Sequence, residues 1–100
     1  MSVLIATKIQ GDTARFSQAL TDRASEFAQI AGRARSAGAI HHQFGIGDGY
    51  VMVVDEWQSA DDFQKFFTDP SLQAFIASVG GAQGQPEVTV CAAVDSADRF

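Results

Sequence analysis

"GAIHHQFGIGDGYVMVVDEW", residues 38–57, is the stretch whose reading decides the fold. Two runs rich in β-branched and aromatic residues flank Gly47-Asp48-Gly49-Tyr50, and Asp-Gly is a favoured pair for a two-residue type I′ hairpin turn. "GIGDG" looks superficially like a phosphate-binding loop, but no helix follows it, so the hairpin is the better reading. With Asp48 and Gly49 in the turn, one side of the sheet pairs Ile46 with Val51, Phe44 with Val53, His42 with Asp55 and Ile40 with Trp57. Successive strand residues point to opposite faces, so the other side holds His41 beside Glu56, Gln43 beside Val54 and Gly45 beside Met52. Each of the two histidines meets a carboxylate, on opposite faces, and a slip of one residue would redistribute all of these pairs. The first side is the more apolar and aromatic, and is assigned to the helices.

Outward from the hairpin, the pattern changes period. "SVLIATKIQ" (2–10) is apolar and partly β-branched and reads as a first strand, stopped at Gly11-Asp12. From Thr13, Phe16, Leu20, Phe27, Ile30, Ala31 and Ala34 recur at three-and-four spacing, predicting one long helix with Asp12 as N-cap and Gly38 closing it. Downstream, Ser59 caps a helix whose apolar side is Phe63, Phe66 and Phe67. Asp69-Pro70 restarts a helix carrying Leu72, Phe75, Ile76 and Val79. "GGAQGQ" (80–85) reads as a flexible loop, "EVTVCAAV" (87–94) as the last strand and "DSADRF" as a polar tail. The order β-α-β-β-α-β is the ferredoxin-like, split βαβ arrangement: α+β, a four-stranded antiparallel sheet with helices on one face, in a single domain over 1–100.

The chain has 100 residues, with 7 Lys and Arg against 12 Asp and Glu and a net charge of −5. That balance argues against nucleic acid or an anionic membrane as partner. Arg33 and Arg35 read as the solvated end of the long helix, complementing its dipole. The single cysteine, Cys91, excludes an internal disulfide and any cysteine-based metal site, and reads as an inert buried thiol in a chain of the reducing cytoplasm. The short apolar run at the N-terminus, with no basic residues before it, has the pattern of neither a signal peptide nor a spanning helix. Tyr50, at the hairpin tip, is expected to be exposed.

A sheet covered on one side only should alternate apolar and polar residues. "YVMVV" (50–54) and "VCAAV" (90–94) are apolar on both faces, so a second copy packed sheet to sheet is expected: a homodimer.

The segment "VVDEWQSADDFQKFFTDPSLQAFIASVG" (53–80) resembles the antibiotic biosynthesis monooxygenase superfamily of dimeric α+β barrels. The resemblance is carried by Glu56 and Trp57 at a strand end, Ser59, Asp61 and Asp62 at a helix start, and the aromatic run Phe63 to Phe67. It implies a ligand cavity between sheet and helices and a cofactor-independent oxygenase acting on a small apolar aromatic or quinol-like molecule. In that chemistry the substrate itself reduces O₂ once a proton has been taken. His42 would be the base, Asp55 would hold its tautomer, and Phe44, Trp57 and Phe66 would wall the pocket. The plainer reading of the same residues is a self-satisfied His42–Asp55 pair with Trp57 as core; for His41 and Glu56 it is a polar contact at the interface or sheet edge. Oxygenases of the superfamily tend to use a strand Asn and a helix Trp. This chain has no asparagine, its first strand offers only Thr7 and Lys8, and its one tryptophan is Trp57. A non-catalytic ligand-binding or interaction module on the same fold is therefore the alternative. The haem-degrading members need that Asn, a Trp where Phe66 stands and a His near Ile76, so haem turnover is not expected.

Overall fold

Along the chain run β1 (Val3–Gln10), α1 (Thr13–Asp22), α2 (Ala24–Ala37), β2 (Ala39–Ile46), β3 (Tyr50–Trp57), α3 (Ala60–Phe67), α4 (Pro70–Ser78) and β4 (Glu87–Ala92). They come from a computed structural model that describes residues 1–81 and 84–100. The sheet has the order β2-β3-β1-β4, with every neighbouring pair antiparallel. This is the expected α+β ferredoxin-like architecture. Of the loop over 80–85, Ala82 and Gln83 lie outside the described residues. Among the described residues no helix is long and apolar enough to cross a membrane.

The hairpin forms in the expected register from His41 to Ile46, with His42 opposite Asp55, Phe44 opposite Val53 and Ile46 opposite Val51. The two-residue turn is closed by the Gly47 N–H on the Tyr50 carbonyl at 2.9 Å, and Gly49 takes φ 79° there. Such a positive φ costs glycine nothing. Tyr50 is half-buried rather than exposed: its ring packs over Gly47 and the Lys8 ammonium sits 4.4 Å above it. One pairing differs from the expectation. Ala39, not Ile40, lies opposite Trp57, and the register shifts between Ala39 and His41. Gly38, at φ 128° in the C-cap of α2, accepts the Gln58 N–H through its carbonyl at 2.9 Å. That bond places Ala39 against Trp57 and leaves Ile40 as the extra residue of a bulge.

The expected long helix is two. Arg23, at φ −120° and ψ 32°, ends α1 and opens α2. No proline or glycine stands there; a tertiary anchor sets the break. The Arg23 guanidinium donates to Ser78 Oγ at 2.7 Å and to both Glu26 oxygens at 2.8 Å, and lies 4.6 Å from the centre of the Phe75 ring. The predicted caps hold. Asp12, Ser59 and Asp69 accept the N–H groups of Arg15, Asp62 and Ser71, and Pro70 occupies the first turn of α4.

All four helices lie on the sheet face carrying Ile5, Thr7, Ile9, Val51, Asp55 and Trp57, the buried residues of β1 and β3. The core beneath them is in two parts. One gathers Phe16, Ala19, Val51 and Val79, with Phe27, Phe44 and Phe75 against them; the other gathers Ile5, Trp57 and Phe63, with Phe66 and Phe67. On the far face Leu4 is 44% exposed and Val54 49% exposed. Cys91, expected to be buried, is exposed as well: β4 is an edge strand, and Cys91 pairs with Leu4 on this uncovered face.

Candidate functional site

A cavity of about 410 Å³ separates the two parts of the core. Its floor is Thr7 and Ile9 of β1 with Val51 and Val53 of β3. Phe44 and His42 close it from β2; Ile30, Ala31 and Ala34 come down from α2, and Phe66, Phe75 and Ile76 from the second helical pair. The volume falls in the usual range for a small-molecule site, and the lining is almost wholly apolar with a few polar groups, as such sites are. The phenyl rings hold one another edge to face rather than closing on the centre. Phe16 and Phe44 stand 5.1 Å apart at 76°, and Phe27 and Phe75 5.0 Å apart at 79°. A ring entering the cavity meets more ring edges and faces of the same kind.

His42 lies at this wall because β2 alternates. Phe44, two residues on, shares its face, and the two rings stand 4.6 Å apart at 83°. Directly across the ladder, Asp55 is buried and its Oδ1 lies 2.7 Å from His42 Nδ1. A carboxylate only accepts, so Nδ1 carries the proton, and in the neutral ring Nε2 keeps its lone pair. Asp55 Oδ2 accepts a second bond, from Trp57 Nε1–H at 3.2 Å. Trp57 is held by Phe63 at 5.7 Å and Phe66 at 5.4 Å between ring centres, which fixes the far end of this chain of bonds.

Of the residues singled out from the sequence, His42, Phe44 and Phe66 border the cavity, while Asp55 and Trp57 stand behind its wall, bonded to each other and, through Asp55, to His42. Trp57 is only 1% exposed and does not border the cavity; its indole N–H goes to Asp55. His41 pairs with Glu56 as the register requires, yet it also borders the cavity beside the bulge at Ile40. Two further polar residues border the cavity that the sequence does not place there. Thr7, 2% exposed, is the one polar residue of β1 on the helix-facing side. Arg35, read as a solvated helix end, borders the cavity too. The signal for Arg35 was its place four residues after Ala31, one turn further along the inward stripe. Among the described residues no group of three or more His, Cys, Asp or Glu is arranged to hold a metal ion.

Three solved structures share this fold over nearly the whole chain. A monooxygenase from the ActVA-Orf6 gene of Streptomyces coelicolor, in complex with nanaomycin D, is 17% identical with TM-score 0.69, covering 99% of this chain and 93% of its own. SnoaB, a cofactor-independent oxygenase from Streptomyces nogalater, is 15% identical with TM-score 0.64, covering 98% of both chains. The fold is that of the antibiotic biosynthesis monooxygenases. A dimeric ferredoxin-like protein from an uncultured marine organism is 14% identical with TM-score 0.64, covering 99% of this chain and 100% of its own. No family model and no curated protein sequence matches the chain.

Proposed function

We propose that this chain is a cofactor-independent monooxygenase that works as a homodimer on a small apolar aromatic, quinol-like molecule. The observation that carries the reading is the Trp57–Asp55–His42 chain of hydrogen bonds, ending on a ring nitrogen at the edge of a largely apolar cavity. In a substrate with an activated CH₂ between aromatic rings, His42 Nε2 takes one C–H proton. The carbanion reduces O₂ and forms the C–O bond, and the imidazolium returns its proton to the resulting peroxide. Loss of the second C–H proton together with hydroxide gives the ketone and water, so one O₂ is consumed per carbonyl formed. The protein supplies orientation, water exclusion and one base. Two solved structures of the same fold are oxygenases by name, and one holds nanaomycin D, which supports an aromatic ligand. The uncovered apolar face of the sheet supports the dimer, and the lone cysteine is at home in the cytoplasm.

A non-catalytic ligand-binding module is the second reading. It is favoured by Thr7 being the polar group that β1 offers to the cavity in a chain without asparagine, and by Trp57 lying behind the wall. Oxygen uptake with a panel of hydroxyanthrones and quinols separates the two. The enzyme reading expects stoichiometric O₂ consumption with at least one member, reduced by roughly 10²- to 10⁴-fold in His42→Gln. Binding without uptake across the panel would decide for the module.

A further inference from the structure

Resting on the cavity reading above, we propose that the ligand is an aromatic acid, its ring system among the phenylalanines and its anionic group against Arg35. Helix α2 turns Phe27, Ile30, Ala31 and Ala34 to the cavity at three-and-four spacing, and Arg35 takes the next place on that stripe. Its guanidinium enters none of the ion pairs among the described residues, unlike those of Arg23 and Arg99. The ionisable residues bordering the cavity are Arg35, His41 and His42, and no Asp or Glu borders it, although the chain carries 12 acidic residues against 7 basic. The carboxylate nearest to His42, that of Asp55, already accepts from two donors behind the wall. An anion entering here meets, beside an apolar wall, a cation held in no ion pair among the described residues. Asp62, packed against Gly38 at the end of the same helix, is not part of the lining. A guanidinium offers paired N–H groups that match a carboxylate or sulfonate. Arg35 is exposed, so it stands at the mouth, and the anion keeps water on its outer side while the rings enter. Arg35 also lies in the last turn of α2, where a cation complements the helix dipole. That role would affect stability but not a preference between charged and neutral ligands.

A matched pair of fluorescent probes tests this: 8-anilinonaphthalene-1-sulfonate and N-phenyl-1-naphthylamine, which share their rings and differ by the sulfonate. Titrated against the full chain, Arg35→Gln should weaken the sulfonate about tenfold, or about 1.4 kcal/mol, and leave the neutral probe within about twofold. Arg35→Lys should restore part of the loss, and Arg33→Gln, on the exposed side of the same helix, should change neither probe. Equal effects of Arg35→Gln on both probes, or none on either, would overturn the proposal while the cavity stands. Ala31→Phe, which fills the cavity from α2, should weaken both probes; if both bind it unchanged, they bind elsewhere, and the cavity reading fails with the proposal. Should Arg35→Gln not fold, salt decides on the unaltered chain. The sulfonate must lose affinity with rising ionic strength while the neutral probe does not, and a sulfonate affinity indifferent to salt overturns the assignment.

Discussion

At Asp55 one carboxylate oxygen takes the His42 Nδ1–H at 2.7 Å and the other takes the Trp57 Nε1–H at 3.2 Å. Both neighbours donate, so both oxygens must accept, and an amide in this place accepts at only one of its two ends. Asp55→Asn therefore has one satisfactory arrangement: the amide oxygen accepts from Trp57 and the NH₂ donates to Nδ1, which moves the imidazole proton to Nε2. The shape of the site survives and the base is lost. Expected is a stability loss of about 1–3 kcal/mol for the weakened buried bonds, and a fall in any O₂-consuming turnover of roughly 10²- to 10⁴-fold. Nitrogen-15 shifts of the His42 ring report the tautomer whether or not the chain is an enzyme. Protonated Nδ1 in the unaltered chain and protonated Nε2 in Asp55→Asn are expected, and the same tautomer in both would show that Asp55 does not set it.

Among the elements, the joint between α1 and α2 shows what a pattern of apolar residues leaves open. The stripe from Phe16 to Ala34 reads as one helix because Arg23 breaks no local rule; only its contacts with Ser78, Phe75 and Glu26 turn the chain there. The Arg23–Glu26 pair at the start of α2 has a pH signature. The hydrogen bond from Arg23 holds the Glu26 carboxyl below its ordinary value of 4.5, so the pair stabilises the fold above that value and is lost as pH falls through the lower folded one. A double-mutant cycle of Arg23→Ala and Glu26→Ala should show favourable coupling at about pH 7 and none at about pH 2. Arg23→Ala alone should still destabilise in acid, because neither Ser78 nor Phe75 titrates. Coupling that persists in acid would mean that the two side chains interact by something other than the ion pair. The hairpin was legible for a complementary reason: alternation and Asp-Gly fix its register from His41 onward, which places His42 against Asp55. The bulge at Ile40 was not, since Ala39 and Ile40 are both apolar and the choice between them is made by the Gly38–Gln58 bond. The cavity itself was legible only through the resemblance, because apolar stripes do not state how far apart the elements carrying them will stand. For the same reason Thr7 has no role in the sequence reading and Arg35 reads there as a solvated helix end.

Over the whole molecule, the helices satisfy one face of the sheet and leave the other with Leu4, Ala6, Met52 and Val54 as a contiguous apolar patch in the middle strands, Val54 being 49% exposed. Lys8, Gln43, Glu56 and Thr89 stand on the same face around it. An apolar centre with a polar rim is the make-up of an interface, and a patch that packs on its own copy about a two-fold axis needs no second gene product. The proposed homodimer places Val54 near the middle of that contact. Val54→Glu would put a charge from each protomer into the apolar centre of it, and a buried charge without a partner costs about 3–5 kcal/mol, enough to raise the dissociation constant by roughly 10²- to 10⁴-fold. In sedimentation the unaltered chain should run at twice 10.7 kDa at micromolar concentration. Val54→Glu should run as the single chain or come out of solution. Val54 lies on the side of the sheet away from the cavity, so a Val54→Glu monomer that stays soluble should still take up N-phenyl-1-naphthylamine. If instead the unaltered chain sediments as a monodisperse 10.7 kDa species, the patch serves something other than a second copy of this sheet.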